Sequence, residues 1–274
     1  MNTNGFAARW ATIGLKMRAV ARITARQQLV YKMDFVLRAT FLLLILFVFA
    51  QLWTAAYAGD TEKTIAGFKL KEIVWYLVFT EAFTMAVPPL CARVEDEVKN
   101  GDIAIRLIRP FSYLGYHYSS FLAEAVIRLF IHLFVGSLIA WPIAGAPSFG
   151  QGWAGLAALS LGALTISFLL HAVVALCAFW VEEVRGMEFV LHKLQFTIGG
   201  MLMPIDLMPE WLQKVCAWLP FQAALYFPAR TAVHFDGHVL LQEIGIQLGW
   251  VLLLVLAAMA IYRKGVKKLH ANGG

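Results

Sequence analysis

Phe41-Leu42-Leu43-Leu44-Ile45-Leu46-Phe47-Val48-Phe49-Ala50 runs without a single polar side chain. Extended on both sides it becomes an apolar stretch from about Phe35 to Tyr57, enough as a helix to cross the roughly 30 Å hydrocarbon core of a bilayer. The same reading recurs outward along the chain, at about Ile73 to Cys91, Ser119 to Ile143, Trp153 to Val181, Phe189 to Leu207 and Leu240 to Tyr262. The pattern predicts an all-α polytopic membrane protein with six transmembrane helices. Composition agrees, since the 274 residues are 60% hydrophobic and only 15% charged, with mean hydropathy +0.69. Soluble domains lie near 45–50% apolar and about 25% charged, so a single soluble core is excluded. Trp53, Tyr57, Trp75, Tyr76, Trp141, Trp153, Trp211, Trp218 and Tyr262 lie mostly near span ends, where amphipathic rings favour the headgroup layer.

The formal charge of +6 fits topology better than nucleic acid, because Lys and Arg collect on the cytoplasmic side of membrane proteins. With the N-terminus inside, the cytoplasmic segments hold Arg9, Lys16, Arg18, Arg22, Arg26, Lys32, Arg38, Arg93, Lys99, Arg106, Arg109, Arg185, Lys193, Arg263, Lys264, Lys267 and Lys268. The opposite side holds only Lys63, Lys69, Lys71, Lys214 and Arg230. Both termini are therefore expected in the cytoplasm. Phe6, Trp10, Ile13, Met17 and Val20 recur at helical steps, with Arg18, Arg22 and Arg26 on another face, which suits an interfacial helix lying on the lipid bilayer. The first 34 residues lack the short apolar core and small-residue site of a cleavable signal. Cys91, Cys177 and Cys216 have neither pairing nor ligand spacing and read as packing residues.

Two segments depart from plain span and loop. Met203 to Arg230 carries Pro204, Pro209, Pro220 and Pro228 among Trp211, Leu212, Trp218, Leu219, Phe221, Tyr226 and Phe227. It is too apolar for a solvated loop and too proline-broken for a span, which points to re-entrant helices dipping into the outer leaflet. The other is Arg93-Val94-Glu95-Asp96-Glu97-Val98-Lys99-Asn100-Gly101, running on to Arg109-Pro110. Here a short polar helix is broken at Asn100-Gly101, residues that tolerate positive φ. Ile103, Ile105, Leu107 and Ile108 then form an amphipathic piece with Arg106 and Arg109, stopped by Pro110.

The chain holds no phosphate loop ending in Gly-Lys-Ser/Thr, no paired-histidine zinc motif and no Gly-x-Ser-x-Gly elbow. No catalytic or metal-ligating set is expected, and no cofactor of its own. A lipid-modifying enzyme would need clustered acids and histidines at one membrane face; Glu182, Glu183 and Glu188, with His192, come nearest. An ion-driven carrier would need an inverted repeat, which the sequence does not display. Within the spans lie Glu81 and, at four-residue steps, Glu124, Arg128 and His132. A charge at mid-bilayer costs about 3 kcal/mol or more, so these groups should face protein or water, either as a buried network in which Arg128 neutralises Glu124 or Glu81, or as a polar lining that a cationic or amphiphilic substrate touches.

The pattern Glu97-x-x-x-Gly101-x-Ile103-x-x-x-Leu107-x-x-Pro110 resembles the segment after the second span of ABC-2-type exporter permeases. Pro204, Met208-Pro209-Glu210-Trp211-Leu212, Leu219-Pro220-Phe221 and Pro228 resemble the paired re-entrant helices before that family's last span. The usual Thr-Leu-Glu after the glycine is here Asp102-Ile103-Ala104. The resemblance implies the membrane subunit of an ABC exporter in a bacterial inner membrane. It implies that ATP-Mg is used by two copies of a partner ATPase, and that a second permease, identical or homologous, is present. Glu95, Glu97, Gly101, Arg106, Arg109 and Pro110 would then form the ATPase-coupling element, with Glu182, Glu183 and Arg185 a second cytoplasmic contact. The expected organisation is an interfacial helix over 1–34, a permease domain over 35–263 with a coupling segment at 92–110 and a re-entrant segment at 203–230, and a basic cytoplasmic tail over 264–274.

Overall fold

The computed structural model describes Leu15, 18–24, Arg26, 32–58, Asp60, 62–108, 111–181 and 183–272, the side chains of 32–35 and 269–272 apart. Phe6, Trp10, Ile13 and Met17 of the expected interfacial stripe lie outside the described residues, as do Arg109, Pro110 and Glu182. Helices dominate: α1 (Lys32–Ala56), α2 (Leu70–Ala86), α3 (Leu90–Lys99), α4 (Asp102–Leu107), α5 (Tyr113–Ala144), α6 (Gly152–Leu176), α7 (Arg185–Ile198), α8 (Glu210–Ala217), α9 (Phe221–Ala224), α10 (Tyr226–Val233) and α11 (Gly237–Asn272). A minimal antiparallel ribbon, β1 (Thr64–Ile65) and β2 (Phe68–Lys69), joins α1 to α2.

The side-chain distribution is that of a bundle solvated by lipid. On α1, Leu42, Leu46 and Ala50 form a buried i, i+4 row, whereas Leu37, Phe41, Leu44, Phe47 and Leu52 are exposed. Phe130, Phe134 and Leu138 of α5 and Leu248, Leu252 and Leu256 of α11 are exposed in the same way. In water such contiguous apolar surface would drive association; against acyl chains it costs nothing. α2 is the central helix, with every residue from Ile73 to Phe83 buried, as a sequence apolar on all sides except for Thr80 and Glu81 requires. Gly136 lets α5 approach it closely, because a Cβ there would lie 2.8 Å from the Val78 side chain. Pro88 and Pro89 then interrupt the helix, and α3 begins at Leu90.

Five helical stretches among the described residues are long and apolar enough to span: Val36–Ala56, Leu70–Lys99, Tyr113–Ala144, Gly152–Phe179 and Gly237–Lys268. The expected fifth span, Phe189 to Leu207, differs. It is the 14-residue α7, about 21 Å of helix, followed by irregular backbone from Gly199 to a 3₁₀ turn at Ile205–Leu207. The chain nevertheless has to return here, because α6 and α11 run parallel. Gln247 donates to the Leu159 carbonyl at 3.2 Å near their starts, and Gly265 packs on Phe179 near their ends. The break follows from Gly199-Gly200 and Pro204, and its backbone is covered by protein. Tyr76 Oη donates to the Gly200 carbonyl, and Thr80 Oγ1 to that of Met201 at 3.2 Å.

The proline-rich segment then turns inward. Pro204, Pro209 and Pro220 each stand directly before a helical piece, where the missing N–H leaves no partner unsatisfied. α9 reaches the level of Leu159, since Gln247 also donates to the Ala223 carbonyl at 2.9 Å. α10 brings Ala232 back against Gly152. Seven residues of α6 separate those levels, an excursion of about 10 Å into the bundle. Trp211 on α8 and Trp218 just after it remain exposed at its rim. One expectation needs correcting at the other end: residues 264–272 are no separate tail but the continuation of α11, whose Val266 still packs on the core.

Candidate functional site

α3 and α4 form a helical knob at the end of the bundle where the basic residues gather. Leu90, Cys91 and Val94 anchor α3 on the core, and Ile103 does the same for α4. Gly101 joins them with φ 76°, a left-handed conformation in which a side chain would be strained. The polar residues of the knob face two ways. Asp96, Lys99, Asn100, Gly101, Asp102, Ala104, Ile105 and Ile108 are exposed, Ile108 by 82%. Glu95 and Glu97 are buried.

Those two carboxylates, expected from sequence on the docking surface, are spent inside the protein. Glu97 accepts from Arg106 Nε at 2.9 Å and from Tyr113 Oη at 2.9 Å, and its Oε2 lies 3.2 Å from His117 Nε2. It thereby lashes α4 to the first turns of α5. The Arg106 guanidinium also lies 4.7 Å from the centre of the Tyr116 ring. Burial alone would lower its pKa, but Tyr116 and Glu97 outweigh that and hold it above the ordinary arginine value. Glu95 takes Lys99 Nζ at 2.8 Å, the backbone N–H of Val184 at 3.0 Å and Arg185 Nε at 3.7 Å. Glu183, which is exposed, approaches Lys99 at 3.6 Å. The second loop expected as a contact is therefore welded to the first, in one continuous surface, through charge-assisted bonds.

A cavity of about 480 Å³ with a mixed lining lies behind the knob, between Val20, Ile23 and Thr24 on one side and Arg93, Asp96, Glu97, Arg106, Tyr116, His117, Ser120 and Glu124 on the other. Thr24 and Ser120 hydroxyls meet at 3.1 Å, so residues 18–24, which are helical, rest on the start of α5. Deeper in, Glu124 is fully buried between Arg93 at 2.7 Å and Arg128 at 2.5 Å. His132 continues the same face of α5, also buried. Glu81 stands apart on α2, with no hydrogen-bond partner among the described residues on either carboxylate oxygen. Between α5, α6 and α11 an apolar groove of about 500 Å³ is lined by Leu114, Tyr118, Phe168, Leu169, Val255 and Met259, with Arg263 at its edge.

A family model described as an ABC-2 family transporter protein matches residues 35–273. The chain belongs to that family. None of the curated proteins matches it. It is thus the membrane permease of an ABC transporter, a transport subunit whose family associates with an ABC ATPase.

The permease also joins three residues that spacing within single segments did not reveal as a set. His171 of α6 meets Glu188 and His192 of α7, one ligand atom from each lying within 4.8 Å of the others. Glu188 and His192 stand four residues apart on one helix face, the half of the set that sequence could show. His171 comes from another helix, and the packing of the end of α6 against the start of the returning α7 brings it in.

Proposed function

We propose that this permease is the membrane half of an exporter, carrying a hydrophobic or amphiphilic substrate out of the cytoplasm or the inner leaflet. Two copies of a separate ATPase drive it, and a second permease, identical or homologous, completes the path. It sits in a bacterial inner membrane with both termini and the α3–α4 knob on the cytoplasmic side. The observation that carries this reading is the exposed surface of the knob: Ile105 and Ile108 bare, with Asp96, Lys99 and Asp102 exposed on the same two helices. Bare isoleucines among charges of both signs are costly in water and fit a groove on a soluble partner. Its attachments suit force transfer. Glu97 ties α4 to α5, and Glu95 ties α3 to the residue that precedes α7, so a push on the tip reaches two crossings together. The groove beside Tyr118 and Met259 offers an apolar berth with one cation, Arg263, which supports an amphiphilic cargo.

The test is co-purification of the cognate ATPase. Ile105→Asp with Ile108→Asp should reduce capture at least tenfold while membrane insertion and melting temperature are kept. Glu97→Gln with Arg106→Gln should reduce capture too, because α4 loses its anchor. Unchanged capture with both tip residues replaced rules out the knob as the docking element.

A further inference from the structure

We propose that His171, Glu188 and His192 form a divalent-cation site of the zinc class that fastens α7 to α6. His171 is completely buried, and its Nδ1 lies 2.8 Å from the Ser167 carbonyl, an atom that can only accept. Nδ1 therefore carries the proton, and the bare Nε2 lone pair points at α7. This is the arrangement in which metal-bound histidines are held, with the remote N–H on a backbone carbonyl fixing tautomer and ring direction. The two Nε2 atoms lie 3.2 Å apart. Zinc–nitrogen bonds of 2.0–2.1 Å at a tetrahedral angle put two ligand nitrogens about 3.3 Å apart. Glu188 supplies a carboxylate oxygen within the same 4.8 Å compass. Two histidines and one carboxylate are a recognised three-protein-ligand zinc set, with the fourth position open to water.

The surroundings supply that open position. Glu188 and His192 line a cavity of about 360 Å³ together with Thr84, Pro88, Arg38 and Lys193. Lys193 extends along the rings of Phe189 and Phe196, its Nζ 5.1 and 5.9 Å from their centres. The location gives the ion a purpose. α7 buries only Leu191 and Gln195 along its length and ends in the irregular run from Gly199, so few contacts hold this crossing. A cation bridging His171 to His192 would clamp α7 to its neighbour just beyond Val184, the residue whose N–H donates to Glu95 of the knob. Occupancy would thereby set how freely α7 follows a movement of α3.

The experiment uses the full chain, purified in detergent without a histidine tag and stripped with a chelator. Zn²⁺ is titrated by calorimetry, and Co²⁺ by visible absorption, where a tetrahedral site gives intense bands between roughly 500 and 700 nm. The expected result is one saturable ion per chain, with a melting temperature that rises on binding. Glu188→Gln and His192→Ala should each weaken binding on the order of tenfold or more, while His238→Ala, at the opposite end of the bundle, should not. His192→Cys, which keeps a zinc ligand, should restore binding. Glu188 and His192 are not buried, so these variants should melt like the parent when metal-free. Absence of saturable binding by the parent chain overturns the proposal, leaving a simple hydrogen bond between the two imidazoles. So does unchanged affinity in Glu188→Gln and His192→Ala.

Discussion

Glu124 has no access to solvent and sits between two guanidinium groups, one from its own helix and one from α3. The four-residue step to Arg128 was legible in the sequence, because i, i+4 places both on one helix face. That Arg93 would join from a segment 31 residues upstream was not, since nothing in local pattern says which helix ends meet. The same limit applied to Glu81, whose place in mid-span was plain but whose choice of partner was open. The structure gives Arg128 to Glu124 and leaves the Glu81 oxygens without hydrogen bonds among the described residues. Removing one partner of a buried pair strands the other, at about 3–5 kcal/mol, whereas replacing both with apolar residues is often neutral. Arg128→Leu should therefore lower stability by an amount near the bottom of that range, because Arg93 still neutralises Glu124. Glu124→Leu with Arg128→Leu should recover most of the loss. Denaturant unfolding in detergent measures both, and a double variant no better than the single one would show that the pair does not carry the cost.

Elements were legible wherever a run of apolar residues was unbroken, and less so where glycine and proline interrupt it. α1, α2, α5, α6 and α11 lie on the stretches expected, with α2 starting at Leu70 and α5 at Tyr113, earlier than hydropathy alone suggested, and with α2 ending at Ala86 and α6 at Leu176, short of the expected Cys91 and Val181. The extra turns are polar residues satisfied by neighbours, such as Tyr113 on Glu97, and hydropathy does not register such pairing. α7 stops at Ile198 because Gly199-Gly200 offers weak helix propensity, and the hydroxyls of Tyr76 and Thr80 take over the freed carbonyls. The start of α11 is marked more sharply. Asp236 Oδ1 accepts from His238 N at 2.8 Å and from Val239 N at 3.2 Å, a side-chain cap on the first turn. These two bonds hold the Asp236 pKa below its ordinary value. A carboxylate depressed in the folded state stabilises it above the unfolded pKa, and that gain is lost as pH falls through the folded value. Asp236→Ala should thus lower the melting temperature at neutral pH, with the gap to the parent closing in acid. Asp236→Asn, which keeps an acceptor, should lie between them. A gap that stays constant from neutral to acidic pH would remove the cap from the account.

For the molecule as a whole, the asymmetry of charge and the direction of the helices agree on which ends of the elements lie together. Lys and Arg crowd one end of the bundle, and the parallel run of α6 and α11 puts both of their C-terminal ends there, together with the α3–α4 knob. The composition and the bare apolar belts on α1, α5 and α11 fix that the bundle crosses a bilayer. Which end faces the cytoplasm rests on the positive-inside rule alone, an argument about insertion energetics rather than about contacts. Single cysteines in a background lacking Cys91, Cys177 and Cys216 separate the two possibilities. Asn100 and Lys63 are both exposed and lie at opposite ends of the bundle. With the knob inside, a membrane-impermeant maleimide applied to intact cells should label Lys63→Cys at once and Asn100→Cys only after permeabilisation. The reverse order would turn the bundle over and leave the knob beyond the reach of any ATP-hydrolysing partner, so this one measurement tests the orientation and the docking proposal together.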